Sequence, residues 1–209
     1  MIQVIGCGPG HRDGMTVEAL RQVRRAQVLI GSARLLALFP NHRGLKIETS
    51  HPAPTLQALR EHGDKDCAVL VTGDPGIASL ARSVRAEFPS QVHTIAGVSS
   101  AIAACAVAGF DWEGAQFLSL HAGCNTLTSS SPSAAETFVV LGGHPDAGRR
   151  LLAWLGSSSS LWECWSVRDA GLPEQSLCRL ELPALATIDS TGRVIFLLRR
   201  KTLSRSENS

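Results

Sequence analysis

The chain has 209 residues, 44% of them hydrophobic, and a formal net charge of +2. This length allows one domain or two small ones with a sizeable buried core, and so small a charge gives no indication of a nucleic-acid partner. The apolar runs are too short to cross a membrane, and the N-terminal apolar residues lack the preceding basic segment of a signal peptide. We therefore expect a soluble, cytoplasmic protein with no membrane partner.

The six cysteines and seven histidines are scattered along the chain and form no C-x-x-C or H-E-x-x-H motif. The spacing therefore predicts neither a zinc site nor a disulfide framework. Cys7, Cys67 and Cys105 lie within apolar stretches, as buried thiols usually do. Arginine greatly outnumbers lysine, which reflects either genomic bias or guanidinium groups that bind an acidic ligand.

The first half of the chain alternates short apolar runs with segments of helical spacing. Thr16, Ser32 and Pro54 are residue types that favour the first turn of a helix. Predicted strands are Ile2–Ile5, Gln27–Ile30, Leu45–Ile47, Ala68–Thr72 and Val92–Ile95; predicted helices begin at Thr16 and cover Ala33–Phe39, Pro54–Glu61, Ile77–Phe88 and an alanine-rich segment ending at Ala108. Strands that are apolar throughout indicate a mainly parallel sheet with both faces covered.

After Gly109 the pattern changes to strands with few helices between them. Predicted strands are Gln116–Leu120, Thr137–Leu141, Leu161–Val167, Leu177–Leu182 and Val194–Arg199; one helix is predicted from Pro145 to Leu155, and loops at 124–133 and 157–160. Closely spaced strands favour an antiparallel portion. We therefore predict an N-terminal α/β domain over residues 1–111 with a mainly parallel sheet, and a C-terminal α/β domain over 112–209 with a mixed sheet.

Three glycine-containing turns directly follow buried strands of the first half, at Gly6–Gly10, Gly73–Gly76 and Gly97–Ser100. In a parallel sheet such strand ends meet at one edge, where ligands bind in α/β folds. Glycine lets the backbone approach a ligand closely, and the Ser hydroxyls and the Asp74 carboxylate can hydrogen-bond to it. A single turn of this kind usually only reverses the chain, but three at one edge predict a small-molecule site.

The common nucleotide-binding motifs do not match these turns. A dinucleotide fingerprint requires glycine where His11 stands, Pro9 interrupts the turn, and Gly31-Ser32 follow the second strand in place of a ribose-binding acid. The chain contains neither a P-loop nor a G-x-S-x-G nucleophile motif. Hydrolysis and phosphoryl transfer are therefore not predicted.

The three turns resemble the motifs of the tetrapyrrole methylase family, a class of S-adenosyl-L-methionine-dependent methyltransferases. The matching segments are Gly6–Gly10 (GCGPG), Thr72–Gly76 (TGDPG) and Ala96–Ala101 (AGVSSA). Gly31–Leu36 (GSARLL) and Ser119–Gly123 (SLHAG) resemble the subfamily of precorrin-6Y or cobalt-precorrin-7 C5-methyltransferases of cobalamin biosynthesis. The resemblance covers nearly the whole chain. His11-Arg12 and Ser79 depart from the residues that many relatives carry at these positions.

The resemblance implies two α/β domains with S-adenosyl-L-methionine in a cleft between them. Cofactor contacts are implied at Gly8, Pro9, Gly10, Gly73, Asp74, Pro75, Ile77, Ser99, Ser100, Leu120, His121, Ala122, Leu141 and Gly142. It also implies a homodimer, a tetrapyrrole corrin precursor as the substrate, and a separate protein for C15 methylation and decarboxylation. No metal is expected in the protein itself.

The implied reaction is attack of an electron-rich macrocycle carbon on an activated methyl group, which depends mainly on orientation. Arg12 is a candidate for binding a substrate carboxylate, and His121 for assisting loss of a proton. A solvated arginine and a turn or core histidine are the simpler interpretations, and the general base is not identified. Two alternatives stay open: another acceptor on the same fold, such as uroporphyrinogen or the substrate of diphthine synthesis, or a nucleotide-binding module without turnover.

Overall fold

The structure, a computed structural model, describes residues 1–77, 79–121, 127 and 130–201. The chain divides into two units, Met1–Ala103 and Ala104–Ser209. The domain boundary between residues 111 and 112 stays a prediction.

The first unit contains one five-stranded sheet in which every described strand pair is parallel. Its strands are β1 Ile2–Gly6, β2 Val28–Gly31, β3 Leu45–Glu48, β4 Cys67–Val71 and β5 Val92–Ile95. They lie in the order β3-β2-β4-β1-β5, with Gly6 beside Val71 and Ile5 beside Ile95. The predicted parallel sheet is confirmed, and β1 lies between the two other strands that lead into glycine turns.

Helices cover both faces of this sheet. They are α1 Val17–Arg25, α2 Ala33–Ala37, α3 Pro52–Glu61 and α4 Ala81–Glu87. A fifth helix, α5 Ser100–Ala108, follows β5 and extends past Ala103, the last residue of the first unit. Successive strand residues point to opposite faces, so Ile5 packs in a cluster with α1 and α2 while Val4 packs in a cluster with α3 and α4. The apolar character of the three central strands β2, β4 and β1 follows from this two-sided burial, whereas the edge strands β3 and β5 are only partly covered.

Some of the residues predicted to begin helices do so in the structure, and others do not. Thr16 caps α1, since its side chain accepts a hydrogen bond from the Ala19 N–H at 3.1 Å. Ser32 occupies the same position before α2 but makes no capping hydrogen bond. The prediction of a helix from Ile77 is wrong at its start, because the Ser79 hydroxyl donates to the Pro75 carbonyl at 2.6 Å and accepts from Ala81 N–H, so that α4 begins only at Ala81.

The second unit contains a mixed five-stranded sheet, as predicted. Its strands are β6 Gln116–Ser119, β7 Thr137–Leu141, β8 Trp162–Arg168, β9 Ser176–Leu180 and β10 Val194–Arg200, in the order β6-β7-β10-β8-β9. The β6–β7 pair is parallel and the other three pairs are antiparallel. The last strand, β10, therefore lies between β7 and β8. Hairpins between consecutive strands would not predict this order.

One helix, α6 Ala147–Leu155, packs against this second sheet through Leu151 and Leu155. The predicted loop at 157–160 is instead part of a 3-10 helix over Gly156–Leu161; further 3-10 helices cover Arg12–Gly14 and Leu182–Ala186. Trp162 is buried in the core. Trp112 is 53% exposed. No helix in the described part of the chain is long and apolar enough to cross a membrane.

Candidate functional site

The three glycine turns meet at the carboxyl ends of β4, β1 and β5, which are neighbours in the sheet. The Gly73 N–H donates to the Gly8 carbonyl at 2.7 Å, and the Cys7 N–H donates to the Val71 carbonyl at 2.8 Å. These bonds extend the β1–β4 pairing beyond the strands and into the turns, where Gly8 and Gly73 form an isolated bridge. The predicted juxtaposition of the three turns is therefore present.

Glycine is required where the turns touch. A Cβ on Gly6 would lie 2.6 Å from the Gly97 nitrogen and 2.7 Å from the Gly73 carbonyl oxygen. A Cβ on Gly97 would overlap that same oxygen and lie 2.8 Å from the Gly6 Cα. All of these neighbours are backbone atoms that cannot rotate away. Gly6 and Gly97 therefore serve the close approach of the turns to one another.

The Asp74 carboxylate joins two of these turns. One oxygen accepts a hydrogen bond from the Gly76 N–H at 2.7 Å, and the other accepts from the Gly97 N–H at 3.1 Å. The first bond closes the turn after β4, and the second connects that turn to the one after β5. Asp74 thus fixes the shape of the edge itself, a role that its position in the sequence does not reveal.

The serines after β5 differ in what their hydroxyls do. Ser99 is buried, and its Oγ accepts from the Ala101 N–H at 3.2 Å at the start of α5. Ser100 is half-buried, and its hydroxyl has no hydrogen-bond partner among the described residues. Its Oγ would lie 3.9 Å from a Cβ placed on Gly73, which has a φ of +69°. Ser100 therefore offers a polar group that is available to a ligand beside the Gly73 backbone.

The remaining residues of the first unit that were predicted to contact the cofactor lie within or beside these turns. Pro9 and Pro75 are buried, whereas Ile77 is half-buried and donates its N–H to the Asp74 carbonyl at 3.2 Å. The Gly10 carbonyl accepts a hydrogen bond from Arg34 at 3.4 Å. All of them lie at the same edge of the sheet as the three turns.

Sequence reasoning gave no role to Arg34, which follows β2. Its guanidinium donates to the Thr72 hydroxyl at 2.8 Å, in addition to the Gly10 carbonyl. Its position three residues after Gly31, the last residue of β2, was the available signal, because β2 ends at the same edge. Burial raises the pKa of the nearby Cys7 thiol to about 12, although the positive charge of Arg34 acts in the opposite direction.

The predicted residues of the second unit gather at the carboxyl ends of its parallel pair, β6 and β7. The Leu120 N–H donates to the Leu141 carbonyl at 2.8 Å, and the Gly142 N–H donates to the Val194 carbonyl at 2.9 Å. The His121 ring packs so closely on Gly143 that a Cβ there would lie 2.5 Å from Nδ1. Ala122 lies outside the described residues.

Burial lowers the pKa of His121, and a hydrogen bond with the Gly142 backbone partly opposes that shift. The imidazole is therefore held in its neutral form against the end of β7. Arg12, the other candidate for substrate binding, is exposed, and its guanidinium carbon lies 5.9 Å from the centre of the Phe39 ring. The described residues contain no cluster of three or more His, Cys, Asp or Glu that could hold a metal ion.

The chain is similar in sequence to curated proteins named as cobalt-precorrin-7 C(5)-methyltransferases. A probable cobalt-precorrin-7 C(5)-methyltransferase from Methanocaldococcus jannaschii is 32% identical over 127 residues, which are 58% of this chain and 60% of that protein. A cobalt-precorrin-7 C(5)-methyltransferase from Salmonella typhimurium is 33% identical over 126 residues, covering 59% and 63% of the two chains. The matched segment thus spans less than two thirds of these relatives.

Solved structures share the fold over nearly the whole chain. A precorrin-6Y methylase from Archaeoglobus fulgidus superposes with a TM-score of 0.73 at 19% identity, covering 97% of this chain and 99% of that one. A uroporphyrin-III C-methyl transferase from Thermus thermophilus, solved with S-adenyl homocysteine, gives 0.74 at 21% identity with 95% and 96% covered. The family model for tetrapyrrole (corrin/porphyrin) methylases matches residues 1–186, and the chain belongs to that family.

Proposed function

We propose that the protein is an S-adenosyl-L-methionine-dependent C-methyltransferase that acts on a corrin-pathway tetrapyrrole. The acceptor favoured by the names of the curated relatives is cobalt-precorrin-7 or its metal-free counterpart, with methylation at C5. The observation that carries the proposal is the meeting of three glycine turns at one edge of a parallel sheet. In open α/β sheets this is the edge where ligands bind.

The groups at this edge fit the methyl donor. S-adenosyl-L-methionine, when bound, supplies a methyl group activated by a positively charged sulfur, together with ribose hydroxyls and a carboxylate. The Ser100 hydroxyl is the polar side-chain group there without a partner in the described part of the chain. Gly73 has no side chain and a positive φ, so its backbone can approach a ligand closely. Small neutral groups of this kind suit the uncharged adenosine part of this molecule.

The residues of the chain would act mainly by orientation. Holding two reacting atoms at about 3–3.5 Å in line removes much of the entropic part of the barrier. Asp74 keeps the turns after β4 and β5 in fixed relation through its two backbone hydrogen bonds. His121 is held neutral, so it could accept a proton but is a weak base. Arg12 carries the charge needed to pair with a substrate carboxylate.

The assignment of Gly8, Pro9, Leu120 and Leu141 as backbone contacts to the cofactor rests on the same family resemblance. Homodimer formation, a cytoplasmic location and a separate protein for the C15 step are also proposals. Size-exclusion chromatography with light scattering would test the dimer directly. A monomer at micromolar concentration would contradict it.

Calorimetric titration tests the cofactor. We expect S-adenosyl-L-methionine and S-adenosylhomocysteine to bind with one site per chain and NAD to give no heat. Binding of NAD without binding of S-adenosylhomocysteine would reject the proposal and favour a nucleotide-binding module.

Mass spectrometry tests the acceptor. Incubation with cobalt-precorrin-7 and S-adenosyl-L-methionine should add one methyl group to the macrocycle. If the cofactor binds but only uroporphyrinogen III gains a methyl group, the fold and cofactor stand and the corrin acceptor is wrong.

A further inference from the structure

A pocket separate from the glycine turns lies on the first unit, beside α1. It has a volume of about 410 Å³, which lies within the range of small-molecule sites in proteins. Its walls come from the 3-10 helix after β1, the C-terminal end of α1 and the segment from Phe39 to Gly44 between α2 and β3. No residue of the three glycine turns is among the residues that line it.

The pocket has an apolar floor and a cationic rim. Val23, Ala26 and Phe39 are buried and belong to the core cluster beneath it. Arg12, Arg24 and Arg43 are exposed and contribute three guanidinium groups to its lining, whereas no acidic residue contributes to it. This combination favours a ligand with an apolar body and several negative charges.

The three arginines carry unmatched charge. Within the described ranges none of them forms an ion pair, whereas the exposed Arg60 and Arg179 pair with Glu side chains. The Arg12 guanidinium lies over the Phe39 ring with its carbon 5.9 Å from the ring centre, in reach of a cation–π contact. That contact places one positive charge at the edge of the apolar floor.

Asn41 and His42 add polar side chains to the lining of the pocket but no negative charge. Burial lowers the pKa of His42, and the positive charge of nearby Lys46 lowers it further. Its ring is therefore neutral near pH 7, and the charge of the rim comes from the guanidinium groups. Arginine binds carboxylates in a planar, two-bond geometry that lysine cannot reproduce.

From this geometry we propose that the pocket binds an organic polycarboxylate, a molecule with two or more carboxylates on an apolar scaffold. Arg24 and Arg43 bind its carboxylates, and the Phe39 ring contacts the scaffold. This site contains none of the residues of the proposed methyl-donor site. It shares Arg12 with the proposed substrate contact, but its existence does not depend on methyl transfer.

Benzene-1,3,5-tricarboxylate is a suitable probe, because its rigid ring carries three carboxylates in one plane. In calorimetric titrations of the full chain we expect saturable binding of this molecule, and binding of benzoate and inorganic phosphate that is weaker by about tenfold or more. Arg24→Gln and Arg43→Gln should each weaken binding of the tricarboxylate about tenfold, because each variant removes hydrogen bonds between a guanidinium group and a carboxylate.

Arg21→Gln is the matched control. Arg21 is an exposed arginine on the same helix that does not line the pocket, and this variant removes the same charge. Its affinity for the tricarboxylate should stay within about twofold of the wild type, as expected for weak long-range interactions at physiological salt. No saturable binding, or an equal loss in Arg21→Gln, would overturn the proposal.

Competition identifies the source of the carboxylates. Uroporphyrin III is a stable tetrapyrrole that carries many carboxylates. If it displaces the tricarboxylate, the pocket takes the carboxylate groups of a macrocycle. If the tricarboxylate stays bound at saturating uroporphyrin III, the ligand is a separate small acid. Both outcomes support a polycarboxylate site, and neither requires methyl transfer.

Discussion

Asp74 determines the geometry of the candidate site at the residue scale. Its two oxygens accept N–H groups from Gly76 and Gly97. Asp74→Ala removes both bonds, and Asp74→Asn retains only one acceptor oxygen. We expect Asp74→Ala to lower the free energy of unfolding by about 1–3 kcal/mol, with a smaller loss in Asp74→Asn. Urea titration of both variants measures this order.

The same substitution affects ligand binding because the turns it connects form the proposed cofactor site. We expect Asp74→Ala to weaken S-adenosylhomocysteine binding about tenfold, a loss of roughly 1.4 kcal/mol. Asp13→Ala is the control, since the Asp13 side chain is 98% exposed on the neighbouring 3-10 helix. Unchanged affinity in Asp74→Ala, together with reduced stability, would show that the carboxylate only supports the turn.

Because of His121, we expect the free energy of unfolding to decrease as the pH is lowered. Burial holds the pKa of this histidine below its usual 6.5, against the opposing effect of the Gly142 backbone. As the pH falls through 6.5, the unfolded chain binds a proton that the folded protein excludes, so the free energy of unfolding decreases. Below the folded pKa this contribution is fully lost.

We expect the variant His121→Gln to lose part of this pH dependence. His42 is shifted in the same direction and should supply a remaining part. Urea titrations of wild type and variant between about pH 5 and pH 8 measure the difference in slope. An identical slope in both proteins would mean that His121 titrates alike in the folded and unfolded chains.

At the scale of the elements, contact between turns determines which glycines tolerate a side chain. A Cβ on Gly97 would overlap the Gly73 carbonyl oxygen. Gly97→Ala should therefore lower the free energy of unfolding by about 1–3 kcal/mol and displace the turn after β5. A lowered urea midpoint and weaker S-adenosylhomocysteine binding are the expected measurements.

Gly63→Ala is the comparison for this variant. A Cβ at Gly63 would lie 3.3 Å from the Leu59 carbonyl oxygen, a tight contact but one without overlap. Its urea midpoint should lie close to that of the wild type. Equal losses in Gly63→Ala and Gly97→Ala would show that the contact between the turns is unimportant.

The order of the elements could be read from the sequence because it depends on local patterns. Strands such as Val92–Ile95 and Thr137–Leu141 are short runs rich in apolar or β-branched residues, and their bounds agree with the structure. Thr16 caps its helix as its residue type predicts. The start of α4 was predicted wrongly, because Ser79 bonds to the turn before it, and such a bond depends on the folded turn.

The site was predictable only in part for a similar reason. The three glycine turns follow three strands of the parallel sheet, so the sheet alone brings them to one edge. The hydrogen bond from Gly97 to Asp74 and the one from Arg34 to Thr72 connect residues far apart in sequence. Such bonds require the strand order, which the hydrophobic pattern does not specify.

At the scale of the whole molecule, the family and the fold are confirmed. Buried cysteines in the two units allow the stability of each unit to be measured separately. Cys7 follows β1 in the first unit, and Cys164 lies in β8 of the second; both are fully buried. Burial raises the pKa of each to about 12 from 9.0. The reactive thiolate fraction is then reduced about a thousandfold, in addition to the steric protection.

Alkylation of the native protein with iodoacetamide should therefore be strongly selective. Cys178, which is exposed on the edge strand β9, should react at the rate of a free thiol. Cys7 and Cys164 should react only through opening of the sheet that contains each of them, so their rates in increasing urea report the stability of each unit. Peptide mass mapping over time measures each site. Rapid native alkylation of Cys7 or Cys164 would contradict the burial of that thiol and the packing of its sheet.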